Sequence, residues 1–217
     1  MSIYIMKGST FKDIYAKTED PNKIFRTQHR IVSSRIRSLD HYHDIVKLTN
    51  VTLFPSDHIL ADFGCHDRNF FEKEYRKQLK SLKADLARFV YSSMVNKTTF
   101  IFICSDKEWK LGYLQIMKDF IEEYFHYPVY DYKKYKTGKE EYRQFNSEYV
   151  EKVCKKELEK KREEEFAEGM KTEKGRKKIL KSLSTAEMRT VLRNSDLYIK
   201  GMSKKEMKYV LKTYVFC

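Results

Sequence analysis

The apolar positions of this chain alternate between short continuous runs and longer stretches with a spacing of three to four residues. Short runs rich in β-branched and aromatic residues predict strands, which cover residues 2–6, about 45–53, 98–104 and about 128–131. The periodic stretches predict amphipathic helices over 69–95 and 108–125, and a looser helical spacing covers 22–39. Since strands alternate with helices, we expect an α/β fold, a layered domain with a partly parallel sheet flanked by helices.

The composition of the chain changes at about residue 133. Residues 1–132 are predicted to form the α/β domain. Residues 133–182 contain a highly charged helix over 146–168, whose apolar stripe is thin, and then a basic segment, so we predict a charged linker helix. Residues 183–217 are predicted to form a small helical hairpin.

The net charge of the chain indicates which kind of partner it binds. Lys and Arg number 44 against 31 Asp and Glu, for a net charge of +13. Residues 133–217 hold 24 of the basic and 14 of the acidic residues. Such a balance favours a polyanionic partner, either nucleic acid or an acidic membrane or protein surface, although positive charge also aids solubility. The Lys-, Tyr- and Phe-rich, Pro-poor composition is compatible with an AT-rich genome such as that of a bacteriophage.

Two capping boxes mark helix starts in the C-terminal hairpin. Ser184 is followed three residues later by Glu187, and Ser203 by Glu206. Each box precedes an amphipathic segment, whose apolar positions are Met188, Val191 and Leu192 in the first helix and Met207, Val210 and Leu211 in the second. Between the helices, we expect Leu197 and Ile199 to close the core and Gly201 to permit the turn.

This hairpin resembles the SAP-type helix-extended loop-helix module, a small DNA-binding unit. The matching features are residues 183–188, the core positions Leu192 and Leu197, the turn at Gly201, residues 203–207 and Leu211. The resemblance implies that the second helix and its first turn face duplex DNA. The nucleic-acid-binding residues are then predicted to be Arg189, Arg193, Lys200, Lys204, Lys205, Lys208 and Lys212. The alternative is a helical hairpin that docks on the N-terminal domain or on a partner protein.

Polar residues that follow predicted strands are the candidates for catalysis. Cys65, His66 and Asp67 come shortly after Asp57, His58 and Asp62, and Cys104 ends a strand just before a helix. A Cys–His pair can supply a nucleophile and its base, and a helix N-terminus can activate a thiol. Adjacent residues usually point in different directions, however, so we predict a polar loop at the first place. At the second we predict a buried strand end, with Ser105 or Asp106 as the helix cap.

A second resemblance concerns the N-terminal domain. Phe54-Pro55, the spacing of Phe71, Tyr75 and Leu79, and an apolar strand ending in Cys104 are similar to an uncharacterised bacterial α/β family. That family opens its next helix with a Cys-His-Arg motif, whereas this chain has Trp-Lys-Leu-Gly over 109–112. The resemblance therefore implies a catalytically inert scaffold.

Other sites of known chemistry have little support in the sequence. His41, His43 and Asp44 lack a convincing third metal ligand nearby, and the four cysteines are too far apart for a zinc site. Phosphate-binding, dinucleotide and nucleophile-elbow motifs are absent from the sequence. We therefore expect no cofactor, no metal and reduced thiols, and the sequence does not favour a nucleotide-hydrolysing or dinucleotide enzyme. No apolar run reaches the roughly 20 residues of a membrane span, and the N-terminus lacks signal-peptide features, so we expect a cytoplasmic protein.

These observations favour a nucleic-acid-binding accessory or regulatory protein, whose α/β domain offers a surface for a protein partner. Two alternatives stay open at this point. One is a metal- or Cys-dependent enzyme acting on nucleic acid, and the other is a binding protein that captures or inhibits a host factor.

Overall fold

A parallel sheet organises the N-terminal part of the chain. The computed structural model describes residues 2–16, 29–33, 47–49, 53–62 and 67–215. Within these ranges, the sheet has the strand order β3-β2-β4-β1-β5, and every pair of neighbouring strands is parallel. The strands are β1 (Ile3–Lys7), β2 (His29–Ser33), β3 (Lys47–Thr49), β4 (Thr99–Cys104) and β5 (Val129–Asp131). The predicted α/β class is confirmed.

Helices follow most of the strands. In the first part of the chain they are α1 (Gly8–Ala16), α2 (Asp57–Asp62), α3 (Arg68–Ser81), α4 (Lys83–Val95), α5 (Asp106–Leu111), α6 (Tyr113–Phe125) and α7 (Tyr132–Lys136). Further along lie α8 (Ser147–Met170), α9 (Glu173–Ser182), α10 (Thr185–Asn194) and α11 (Lys204–Val210), which continues into a π-helical turn (Leu211–Val215). Among the helices of the described ranges, none is both long enough and apolar enough to cross a bilayer.

The two long helices predicted from the sequence are each interrupted once. The periodicity over 69–95 breaks at Leu82, which lies between α3 and α4. The second break is at Gly112, which has a φ of +76° and separates α5 from α6. A side chain is strained in this left-handed conformation, so the position needs glycine. Hydrophobic spacing does not detect either break, because it continues in phase across each junction.

Strand β4 lies in the middle of the sheet and is buried along its whole length. Its side chains alternate between two apolar layers, as the period of two in a strand requires. Phe100 and Phe102 face a large core that is built with α3, α4 and α6, whereas Ile101 and Ile103 face a smaller core that includes Phe11 of α1. The sheet therefore has helices on both faces.

One strand was missed by the hydrophobic pattern. Residues 29–33 form β2, although the spacing over 22–39 predicted a helix, which is wrong for these five residues. Ile31 and Val32 are buried, and β2 pairs with both β3 and β4. Sheet pairing on both sides outweighs a helical spacing in so short an element. The rest of 22–39 lies outside the described residues.

The segment after β3 is held by α3. Residues 47–49 form a strand, as predicted for about 45–53, but Leu53 already lies in a turn, and 50–52 are outside the described residues. The buried Tyr75 hydroxyl donates to the Leu53 carbonyl at 2.8 Å, and the Gln78 amide donates to the Phe54 carbonyl at 2.7 Å. These bonds satisfy the backbone where the chain leaves the sheet.

The edge of β5 is closed by a network of charged side chains. The carboxylates of Glu122 and Glu140 accept from the Val129 and Asp131 amides at 2.9 and 2.7 Å. Arg143 bonds Glu122 at 2.6 Å, and the buried Lys118 ammonium bonds Glu140 at 2.6 Å. A capped edge cannot pair with another strand, so this network protects the sheet.

Residues 133–158 pack against the first part of the chain, although their composition predicted a linker. Phe145, Val150 and Cys154 pack against the large core, and the Tyr124 hydroxyl donates to the Glu157 carboxylate. The chain divides into two compact units, 1–158 and 159–217, with α8 running from one into the other. The sequence predicted a boundary near 133 because charge obscures the few apolar residues that make these contacts.

The second unit has a small core of its own. It consists of the end of α8 and of α9, α10 and α11, packed around the buried side chains of Leu183, Met188, Leu192, Met207 and Leu211. Thr172 caps α9, which lies within the predicted basic segment. This unit is stabilised by a few buried side chains and by helix caps.

Limited proteolysis is expected to cut between the two units. Trypsin should cleave first within about 159–182, because Lys160, Lys171 and Lys177 are exposed there and side chains of α9 are at most half-buried. The expected product is a stable fragment ending near 158, detectable by mass spectrometry. Preferential cleavage within 133–158 would contradict the packing of that segment.

Candidate functional site

The hairpin of the second unit begins each of its helices with a complete capping box, as predicted. The Glu187 carboxylate accepts from the Ser184 amide at 2.8 Å, and the Ser184 hydroxyl accepts from the Glu187 amide at 3.3 Å. The same pair of bonds joins Ser203 and Glu206, at 2.7 and 3.3 Å. Both glutamate carboxylates therefore hydrogen-bond the first residue of the capping box in their own helix.

The turn between α10 and α11 differs in one residue from the prediction. Leu197 is partly buried against the small core, as expected, and Gly201 has a φ of +96°, which suits glycine. Ile199, predicted to close the core, is instead 69% exposed. The loop turns its side chain outward because Leu197 and Met202 already cover the core at this point.

The predicted nucleic-acid-binding residues lie around this hairpin. Arg189 and Arg193 are one turn apart on α10 and both are exposed, with the Arg193 guanidinium 4.9 Å from the centre of the Tyr198 ring. Lys204 and Lys208 are one turn apart on α11. We call the full set the cationic surface, which comprises Arg189, Arg193, Lys200, Lys204, Lys205, Lys208 and Lys212.

The charges of the cationic surface are poorly compensated. Except for Lys212, its members form no ion pair with any residue that the structure describes. Two neighbouring carboxylates are used elsewhere, since Glu206 caps α11 and Glu187 caps α10 and also pairs with Arg162. Unpaired ammonium and guanidinium groups on one small unit create a positive potential that attracts polyanions.

An apolar groove beside these charges was missed by sequence reasoning. Lys200 and Lys205 line a groove of about 590 Å³ together with Ile199 and Tyr209. The Tyr209 ring is 66% exposed. One signal in the sequence pointed to it, because Tyr209 falls outside the Met207–Leu211 stripe and sits four residues after Lys205. The surface thus combines cations with a flat ring and an aliphatic side chain.

The cap of α11 carries a testable pH dependence. Hydrogen bonds from the Ser203 hydroxyl and amide lower the pKa of the Glu206 carboxyl below its ordinary value of 4.5. Because the folded pKa is lowered, the carboxylate stabilises the helix above the ordinary pKa, and this contribution disappears as the pH falls through the lowered value. An NMR titration of the Glu206 side chain should give a midpoint below 4.5, and Ser203→Ala should move that midpoint upward. A midpoint at or above the ordinary value would contradict the cap.

Of the candidate catalytic residues Cys65, His66, Asp67 and Cys104, the structure describes Asp67 and Cys104, and each has a structural role. Cys65 and His66 lie outside the described residues, and so do His41, His43 and Asp44. The Asp67 carboxylate caps α3 by accepting from the Phe70 amide at 2.8 Å. Cys104 is buried at the end of β4, and Ser105 caps α5 with a capping box to Glu108, as predicted. Nowhere in the described ranges do three or more His, Cys, Asp or Glu side chains gather as a metal site would need.

The Cys104 thiol is expected to be unreactive. Burial raises its pKa to about 12, so the thiolate that would act as a nucleophile is disfavoured at neutral pH. Burial likewise raises the pKa of Cys154 to about 12. Mass spectrometry after alkylation should show both thiols protected in the folded protein and modified after unfolding, and Cys104→Ser should leave nucleic-acid binding unchanged. Rapid alkylation of Cys104 in the native state would restore it as a nucleophile candidate.

The chain matches no protein-family model, no curated protein and no solved structure. Its function therefore has to be argued from the surfaces themselves.

Proposed function

We propose that this protein is a nucleic-acid-binding accessory protein whose second unit binds duplex DNA through the cationic surface. One observation carries the proposal: the lysines and arginines around α10 and α11 are exposed or half-buried, and all but Lys212 lack ion-pair partners among the described residues. Residues 171–217 contain 13 basic and 4 acidic residues. The SAP-like features of the sequence favour the same surface.

Phosphates are the part of DNA that this surface suits best. Five of its seven members are lysines, and a lysine ammonium is a mobile point charge without the fixed fork with which arginine reads guanine. Contacts to phosphates position a protein on the duplex and carry little sequence information. We therefore expect binding with weak sequence preference.

The groove next to the lysines could also make an apolar contact with DNA. The ring of Tyr209 and the side chain of Ile199 flank Lys200 and Lys205, and both are more than half exposed. An exposed aromatic ring beside ammonium groups can pack on a sugar or a base while the ammonium groups bind the phosphates.

Docking on a protein is the second candidate, and the same groove favours it. Exposed Ile199 and Tyr209 would also suit an apolar side chain of a protein partner. The two candidates differ in their response to salt, since displacement of counterions from DNA makes binding steeply salt-dependent, whereas apolar docking depends on salt much less.

The test is a titration of the full chain with fluorescent duplex DNA of several unrelated sequences over a series of salt concentrations. The logarithm of the affinity should fall linearly with the logarithm of the salt concentration, by about 0.9 for each phosphate neutralised. Affinities for different sequences should be similar. Absence of binding at low salt would refute the proposal and leave protein docking.

A further inference from the structure

A second surface of interest lies in the first unit, beside the carboxyl ends of β1, β4 and β5. A cavity of about 390 Å³ opens there, which is within the range of small-molecule sites. Its walls include Lys7 from the end of β1, Asp131 from the end of β5, and Trp109 from α5, which follows β4. Three of the five strands therefore contribute to one cavity through their carboxyl ends or the helix that follows.

The topology accounts for the cavity. Neighbouring strands β1 and β4 send their following helices to opposite faces of the sheet, since Phe11 of α1 belongs to the small core and the apolar side chains of α6 belong to the large one. Two adjacent strands whose connections diverge in this way leave a crevice outside their carboxyl ends, and in open parallel sheets that crevice is where ligands bind.

Lysine side chains dominate the charge of the cavity. Lys7, Lys133 and Lys134 line it, and all three are exposed, against a single lining carboxylate, Asp131. In the part of the chain that the structure describes, none of these lysines forms an ion pair. The Asp131 carboxylate already accepts a hydrogen bond from the Lys134 backbone amide, at 3.1 Å.

A second nearby carboxylate, that of Asp106, does not line the cavity. The Asp106 carboxylate accepts from the Ser9 hydroxyl at 2.8 Å and from the Ser9 amide at 3.2 Å, and these bonds lower the pKa of Asp106. It stays ionised and bonded to the first turn of α1. The three ammonium groups still outnumber the carboxylates of Asp131 and Asp106, which leaves positive charge for a negatively charged ligand.

The cavity also offers a flat aromatic surface. Trp109 is half-buried in its wall, and the Lys7 ammonium lies 5.7 Å from the centre of the indole ring. An aromatic ring next to several ammonium groups suits a molecule with one planar ring and one phosphorylated end.

We infer that this cavity binds a mononucleotide, with its phosphates on Lys7, Lys133 and Lys134 and its base against Trp109. The cavity shares no residue with the cationic surface and would give the first unit a ligand of its own. The volume of about 390 Å³ fits one nucleotide. The sequence carries no nucleotide motif here because Lys7 lies at the end of β1, whereas Lys133 and Lys134 lie in α7, far along the chain.

Trp109 makes the test direct, since it is the single tryptophan of the chain. Its fluorescence should change saturably when the full-length protein is titrated with ADP. Adenosine and inorganic phosphate, each of which carries only part of the recognised chemistry, should bind at least about tenfold more weakly. Isothermal titration calorimetry provides an independent measure of the same affinities.

Two double variants with equal loss of charge decide whether the cavity is the site. Lys133→Ala with Lys134→Ala should weaken ADP binding by about tenfold or more. Lys107→Ala with Lys110→Ala removes two exposed lysines next to Trp109 that do not line the cavity, and should leave the affinity for ADP unchanged. The inference is overturned by equal losses in the two variants, by adenosine binding as tightly as ADP, or by the absence of both a fluorescence change and heat.

Discussion

Replacing Lys204, Lys205 and Lys208 with alanine is expected to weaken DNA binding about 100-fold at low salt. Each lysine places one ammonium group on or beside α11, and none has an ion-pair partner among the described residues. If each contact to a phosphate contributes about 1 kcal/mol, the loss of three corresponds to that factor. The slope of log affinity against log salt should flatten by about two to three units, since about 0.9 is lost for each phosphate contact.

A matched variant separates the cationic surface from the charge of the whole chain. Lys73→Ala, Lys77→Ala and Lys80→Ala together also remove three exposed lysines, but from α3 in the first unit. This variant should keep the parental affinity and salt slope. Met207 and Leu211 are untouched in the α11 variant, so circular dichroism should not change. If both triple variants lose the same affinity, binding is a property of net charge and the cationic surface is not the site.

The central part of the fold was accessible from sequence because its physical signals are local. The run over 98–104 is continuously apolar, and a strand that pairs on both sides and carries helices on both faces needs that pattern. The capping boxes at Ser184 and Ser203 were equally readable, since both partners of each bond lie three residues apart. Local signals of this kind predicted β4 and the starts of α10 and α11.

Features that depend on residues far apart in the chain were missed, because they leave no local signal in the sequence. Strand β2 is defined by its pairing with β3 and β4, and this pairing is invisible in a five-residue segment. The closed edge of β5 depends on Glu122 and Glu140, which a composition count reads as surface charge. Residues 133–145 therefore looked like a boundary.

The two surfaces show the same contrast. The residues of the cationic surface lie close together in the sequence, so they could be named in advance, whereas the exposure of Ile199 depends on how the loop covers the core. The residues that line the cavity at the strand ends are spread from Met6 to Lys134 and form no linear motif. Topology brings these residues together, and only the strand order indicates where to look.

Replacing Leu192 with alanine is expected to unfold the second unit and abolish DNA binding. Leu192 is fully buried in the small core with Met188, Met207 and Leu211. Removing a buried leucine costs about 2–5 kcal/mol, because the transfer free energy of the side chain is lost and a cavity remains. A unit this small has about 3–5 kcal/mol of stability from a single core, so the substitution takes most of it.

The two units can be followed separately in that variant. Far-UV circular dichroism should lose the helical signal of α9 to α11, while the fluorescence of Trp109, which lies in the first unit, should stay as in the parent. Thr190→Ala changes an exposed position on the same helix and should alter stability by less than about 0.5 kcal/mol and leave DNA binding intact. A Leu192→Ala protein that has lost this helical signal yet binds DNA with parental affinity and salt slope would move the interface away from the folded hairpin, either to its unfolded basic chain or to the first unit.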